Sequence, residues 1–233
     1  MFVWDGPNTD GLSPHEAHSE MVSPDDALPG RDTPVLERPA PHAVLGTDIL
    51  AEPDENQELI YLASGCFWGA EKMAWEAGAD ATAVGYMGGS TPNPTYEEVC
   101  TGRTGHAETV RVLFTPTQLP VEKLLKAFFE SHDPTSLNRQ GNDVGTQYRS
   151  AIFTTTQEQD DVAHRMIAAY QQALTAAGKG EIVTHVIPVL TAGPFYPAED
   201  YHQQYLAKHP DGYQCHSRTG IACPLPGSSP LAS

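Results

Sequence analysis

The apolar positions of this chain change period along its length, and each change marks an element. Glu58-Leu59-Ile60-Tyr61-Leu62-Ala63 is apolar, aromatic and β-branched, the pattern of a buried strand. After Gly65-Cys66 the period becomes helical: Phe67, Ala70, Ala74 and Ala77 share one face of a run of good helix formers that stops at Gly78. Thr109 to Phe114 alternates like a sheet strand, and Pro120 opens a helix whose Val121, Leu124, Leu125 and Phe128 form one stripe. Residues 147–154 predict another strand, with Tyr148, Ser150 and Ile152 on one face and Arg149, Ala151 and Phe153 on the other. Val162, Met166, Tyr170 and Leu174 mark a helix ending at Gly178-Lys179-Gly180. Glu181 to Leu190 reads as a strand that Pro188 confines to an edge, and a short helix, Glu199 to Lys208, follows Pro197. This order of strands and helices predicts an α+β chain, a two-layer α/β sandwich with a mixed sheet.

Between the elements lie two long loops rich in Gly, Asn and Tyr, at 85–96 and 139–145; irregular segments of this length in a compact domain build sites. Three regions follow from composition: an extension over 1–57, a main domain over 58–211, and an irregular tail over 212–233 that carries two cysteines. Residues 1–57 hold 12 acidic against 2 basic side chains and 8 of the 20 prolines, so they are expected to be poorly structured or to wrap the domain.

The formal net charge of −17 argues against nucleic acid and anionic membrane surfaces as partners. No apolar run of membrane-spanning length occurs, and no basic segment precedes an apolar one at the start, so a cytoplasmic location is expected. The cysteines are Cys66, Cys100, Cys215 and Cys223, and none forms a Cys-x-x-Cys pair, which disfavours thioredoxin-type motifs and zinc ribbons.

Cys66 is the candidate for an active thiol, favoured by the flanking glycines and the turn over a buried cysteine among core aromatics. A strand-to-helix turn places it at the positive end of a helix dipole, among unpaired backbone N–H groups, where a thiolate is stabilised. Two large aromatics, Phe67 and Trp68, follow it and suggest an apolar pocket wall. Such a thiol could serve a hydrolase, given the many histidines, or a redox centre. Two tail cysteines favour redox chemistry, because a sulfenic acid on Cys66 could condense with a second thiol. A redox-sensing or metal-binding module is a third reading, which the scattered spacing disfavours. Cys100 reads as a buried, inert thiol and His106 as a structural loop residue.

Gly65-Cys66-Phe67-Trp68-Gly69 resembles the signature of the A-type peptide methionine sulfoxide reductases. So do Gly85-Tyr86 with Gly88-Gly89, Asn93 to Cys100, Thr104 to Glu108, Gln140 to Asp143, Gly145 to Ser150 and Ala198 to Leu206, in family order across about residues 58–223. Val22 to Pro34 is similar to the N-terminal arm of some members.

The resemblance implies a ferredoxin-like core and the reduction of methionine S-sulfoxide, free or in peptides and proteins, as repair of oxidative damage. It implies Cys66 as nucleophile, Glu108 as the acid for the sulfoxide oxygen, and Tyr96 and Tyr148 as hydrogen-bond donors to that oxygen. Phe67 and Trp68 would hold the methyl group, with Asp143 and His202 supporting the pocket. Cys215 would resolve the sulfenic acid, Cys223 would exchange onto Cys215, and thioredoxin would reduce the final disulfide. No metal or organic cofactor is implied, and a monomer is expected. One departure stands out: Gly212-Tyr213-Gln214-Cys215-His216 places the first tail cysteine one residue later than in many three-cysteine members, and most tail glycines are replaced.

Overall fold

A computed structural model describes residues 20–213 and 217–226. Its elements in chain order are strand β1 (Glu58–Ser64), helix α1 (Phe67–Ala77), β2 (Ala81–Met87), α2 (Tyr96–Cys100), β3 (Ala107–Phe114) and α3 (Val121–Ser131). There follow β4 (Arg139–Gln140), β5 (Asp143–Val144), β6 (Ser150–Thr154), α4 (Gln157–Ala176), β7 (His185–Pro188), α5 (Val189–Ala192), β8 (Tyr196–Pro197) and α6 (Tyr205–Lys208). Among the described residues, no helix is long and apolar enough to cross a membrane.

Six strands form one sheet in the order β7-β6-β1-β3-β2-β8, and β4 and β5 form a small separate hairpin. Every pairing in the main sheet is antiparallel except β6 with β7. The sheet is therefore mixed, as expected. Its inner four strands, β6-β1-β3-β2, arise from a β-α-β-β-α-β sequence of elements, the split pattern of a ferredoxin-like core.

Alternation assigns each strand residue to a face. Ile60, Leu62, Val84, Tyr86, Val110, Val112 and Ile152 form one cluster with Phe67, Ala70 and Ala74 of α1, the stripe of α3, and Val162, Met166, Tyr170 and Leu174 of α4. Burying each of these large side chains contributes about 1.5–3 kcal/mol. Among the described residues, the opposite face has no helical layer of comparable length. Ala63, Met87, Ala151 and Phe153 are covered there by Ile187, Val189, Ala192 and Phe195. Ala83 packs against Leu36, Ile49 and Leu50 of the N-terminal segment. Arg111, buried on that face, donates to the carbonyls of Ile49 at 3.2 Å and Ala51 at 2.6 Å.

The helices α1, α3 and α4 match the apolar periodicity, and β7 lies at the sheet edge where Pro188 placed it, although it spans only His185–Pro188 of the expected 181–190 strand and gives way to α5. Four further expectations are corrected. Part of the 85–96 loop is β2, a fully buried strand whose Ala, Thr and Gly content hid it. The loop ends where α2 begins at Tyr96, a helix the pattern did not show, its start closed by a capping box between Thr95 and Glu98. Strand 147–154 begins only at Ser150, because Thr146–Tyr148 is a 3₁₀ turn, so Tyr148 is not on a strand face. Of the expected 199–208 helix, only Tyr205–Lys208 is helical, after turns through Gln204.

Gly85 shows why β2 escapes pattern reading. A Cβ there would lie 2.3 Å from the Tyr196 carbonyl oxygen and 2.5 Å from the Phe195 ring, so the strand needs glycine where β8 pairs with it. Gly85→Ala is expected to destabilise the fold by about 1–3 kcal/mol, as overpacking of this kind does. A urea midpoint equal to wild type would refute the close approach.

Candidate active site

Antiparallel pairing brings the C-terminal ends of β1 and β2 to the same end of the sheet as the N-terminal ends of β3 and β6. Cys66, the loop holding α2, and the 139–148 segment converge there for that reason. A buried guanidinium ties these loops together. Arg149 donates to the carbonyls of Thr146 at 2.8 Å, Gly105 at 3.0 Å and Gly88 at 3.4 Å.

Cys66 is the N-cap residue of α1 and is partly buried. The turn leading to it demands glycine: Gly65 has φ +90°, and a Cβ would lie 2.6 Å from the Gln140 side chain. The first amide of α1 is already engaged, since Phe67 N–H donates to Glu108 Oε2 at 2.9 Å. Glu108, on the helical face of β3, is 1% exposed. Burial pushes its carboxyl up to about 8; the Phe67 N–H opposes this and the Asp143 charge adds to it. Because Phe67 N–H fixes Oε2 as an acceptor, a proton on this carboxyl sits on Oε1.

Tyr96 and Tyr148 stand in the field of that carboxyl. Burial first, and the Glu108 charge second, raise both phenols well above their ordinary range, so both remain O–H donors. The Tyr96 phenol also feels the Cys66 and Cys100 thiols. Cys100 itself is pushed up to about 12 by burial and by Glu108.

An aromatic wall flanks these groups. The Phe67 ring centre lies 5.4 Å from His202, 5.9 Å from Tyr86 and 6.4 Å from Tyr96. Trp68 stacks on Tyr205 at 3.8 Å, and its indole N–H donates to His202 Nδ1 at 3.2 Å. Burial lowers the His202 pKa, which favours the neutral ring that this bond requires. Asp143 accepts from the Tyr213 hydroxyl at 3.1 and 3.2 Å. Cys66 also borders a cavity of about 120 Å³, lined in part by Gly69, Lys72, Gln140 and Arg218.

The structure thus gathers Cys66, Phe67, Trp68, Tyr96, Glu108, Asp143, Tyr148 and His202. Cys215 lies outside the described residues. Cys223 is placed elsewhere, 1% exposed against α3 and α4. Its N–H donates to Glu130 at 2.8 Å, its carbonyl accepts from Lys126 at 2.8 Å, and burial pushes its thiol up to about 12. His42, His106 and His132 have both ring nitrogens engaged with partners other than a thiol, which weighs against a hydrolase dyad.

Three site residues were not singled out from sequence. The Tyr86 hydroxyl donates to Glu199 Oε2 at 3.0 Å, while Glu199 Oε1 accepts from Tyr96 N–H at 2.8 Å, holding α2 against the pocket. Tyr205 supplies the stack on Trp68. The available signal was their place inside the motif blocks.

Comparison with known proteins agrees with this geometry. The family model described as peptide methionine sulfoxide reductase matches residues 58–223. The chain is 52% identical to peptide methionine sulfoxide reductase MsrA of Corynebacterium kroppenstedtii, over 88% of this chain and 94% of the relative. It is also 52% identical to the MsrA of Maricaulis maris, over 91% and 96%. Among solved structures, methionine sulfoxide reductase A of Corynebacterium diphtheriae superposes with a TM-score of 0.79 at 49% identity, over 89% of this chain and 99% of that one. Reduced Mxr1 from Saccharomyces cerevisiae gives 0.63 at 36% identity, over 72% and 94%. The chain belongs to the peptide methionine sulfoxide reductase A family and is an oxidoreductase that reduces methionine sulfoxide.

Proposed function

We propose that the pocket takes the S epimer of methionine sulfoxide, free or in oxidised proteins, and that Cys66 is its reductant. The observation that carries this reading is the buried Glu108 carboxyl hydrogen-bonded beside Cys66, pushed up to about 8 and therefore protonated at neutral pH. A sulfoxide sulfur becomes a usable electrophile once its oxygen is protonated. Glu108 delivers that proton while Tyr96 and Tyr148 hydrogen-bond the same oxygen, an arrangement worth about 3 kcal/mol per donor. Cys66 sulfur attacks the substrate sulfur, forming an S–S bond as the protonated S–O bond breaks and water leaves. Water then adds to the Cys66 sulfur, the S–S bond breaks with its electron pair going to the substrate sulfur, and methionine leaves reduced with Cys66 as a sulfenic acid. Phe67 and Trp68 seat the methyl group, and Asp143 and His202 brace the pocket.

Cys215 then attacks the sulfenic acid, expelling water and forming a disulfide that thioredoxin reduces. The reaction needs no metal or organic cofactor. Exchange of Cys223 onto Cys215 would require residues 217–226 to leave α3 and α4, since the Cys223 thiol is covered there.

Cys66→Ser is expected to abolish consumption of methionine S-sulfoxide. Cys215→Ser should release one methionine per enzyme, yet stop the thioredoxin-driven cycle; continued turnover would refute its resolving role. Glu108→Gln should slow the chemical step about 10²–10⁴-fold in single-turnover assays, as loss of a general acid does. Wild-type kcat should fall as pH rises through about 8, where Glu108 loses its proton.

Stability provides a separate check. The folded carboxyl sits at about 8 against an ordinary 4.5, so its favourable contribution is complete below 4.5 and is lost as pH rises through 8. Urea midpoints of wild type relative to Glu108→Gln should decline across that window; a flat difference would show that Glu108 ionises normally.

A further inference from the structure

The buried stripe of α1 contains one charged side chain, Glu71, which is 0% exposed and has no role in the chemistry above. Both of its oxygens are occupied. Oε1 accepts from the Thr82 hydroxyl at 3.0 Å and from Gln204 Nε2 at 2.8 Å, and Oε2 accepts from the Gln204 backbone N–H at 2.8 Å.

Donor directions in this network can be assigned. His42 Nδ1 accepts from the N–H groups of Val44 and Leu45, both at 3.1 Å, so the proton of the neutral ring sits on Nε2. Nε2–H then donates to Thr82 Oγ1 at 2.8 Å, which leaves the Thr82 proton for Glu71. At the other end, Gln204 Oε1 accepts from Ala43 N–H at 3.3 Å, which fixes the orientation of that amide. Among the described residues, three donors therefore point at Glu71, and no acceptor does.

Gln204 has φ +45°, a left-handed conformation that residues bearing a Cβ rarely adopt. It stands directly before Tyr205, which stacks on Trp68, and two residues after His202, which accepts the Trp68 indole N–H. Whatever holds Gln204 thus sets where the outer half of the aromatic wall lies.

We propose that Glu71 is a positioning residue of the sulfoxide pocket: through Gln204 it holds the turn that lays His202 and Tyr205 against Trp68, with His42 and Ala43 of the N-terminal segment bracing the same network. The inference rests on the reading of that pocket as the substrate site. Glu71→Gln keeps the size but brings N–H groups to where donors already converge. The exchange Glu71→Gln with Gln204→Glu restores an acceptor facing a donor.

The test uses the reduced full-length protein. The indole N–H resonance of Trp68, assigned by its loss in Trp68→Phe, reports the wall without turnover. KM and kcat for methionine S-sulfoxide with dithiothreitol report the pocket. Glu71→Gln should move or broaden the Trp68 resonance and raise KM about tenfold with kcat within about threefold, and the double exchange should reverse both changes. If Glu71→Gln does not fold, Gln204→Ala must show the same resonance and KM changes. An unmoved Trp68 resonance with unchanged KM, accompanied only by a lower urea midpoint, overturns the proposal. If wild type fails to consume the sulfoxide, the functional reading falls, and the resonance still decides the positioning role.

Discussion

The hydrogen bond from Phe67 N–H to Glu108 joins the two halves of this site. A helix start leaves its first amides without intrahelical partners, and a buried carboxyl needs a donor. Each supplies what the other lacks. The bond favours the charged form of Glu108, yet burial outweighs it, so the carboxyl remains an acid near neutrality. The same contact places that acid one residue from Cys66. Displacing either β3 or α1 would part the Glu108 carboxyl from the Cys66 thiol.

The sheet topology explains why so many sequence-distant residues meet at this point. In an antiparallel arrangement, alternate strand ends lie at one edge, so the turns following β1 and β2 share space with the segments preceding β3 and β6. The N-terminal segment belongs to the same construction. Arg31 forms a two-pronged pair with Glu98, the capping residue of α2, and donates to the Asn93 carbonyl. His42 reaches Thr82 beneath α1. The loop bearing Tyr96 is thereby strapped from outside, while Arg149 ties its base to neighbouring carbonyls from within.

Two of the described cysteines are held away from reactivity. Cys223 is seated in the helical layer, anchored by Glu130 and Lys126, and Tyr170 adds a bond to the Ile221 carbonyl at 2.9 Å. Cys100, despite its place beside Tyr96, is held far from ionisation by burial and the Glu108 charge. Proximity to a site does not by itself make a thiol reactive; local solvation and charge decide.

Strong local periodicity made α1, α3, α4, β1 and β3 legible, because apolar spacing reports the buried face directly. The ordered motif blocks identified the family and named Cys66, Glu108, Tyr96 and Tyr148. Strand β2 was hidden because Gly85 has no side chain to carry a pattern, and its reason lies in Phe195 and Tyr196, more than a hundred residues away. Tyr148 could not be placed from spacing, since three residues are too few to tell the period of a 3₁₀ turn from that of a strand. The sequence by itself determined the element periods, the candidate thiol and the family, all properties of neighbours along the chain. Only the tertiary structure decided the protonation of Glu108, the burial of Cys223 and the tie between Glu71 and Gln204, because desolvation and hydrogen-bond partners depend on which remote segments exclude water.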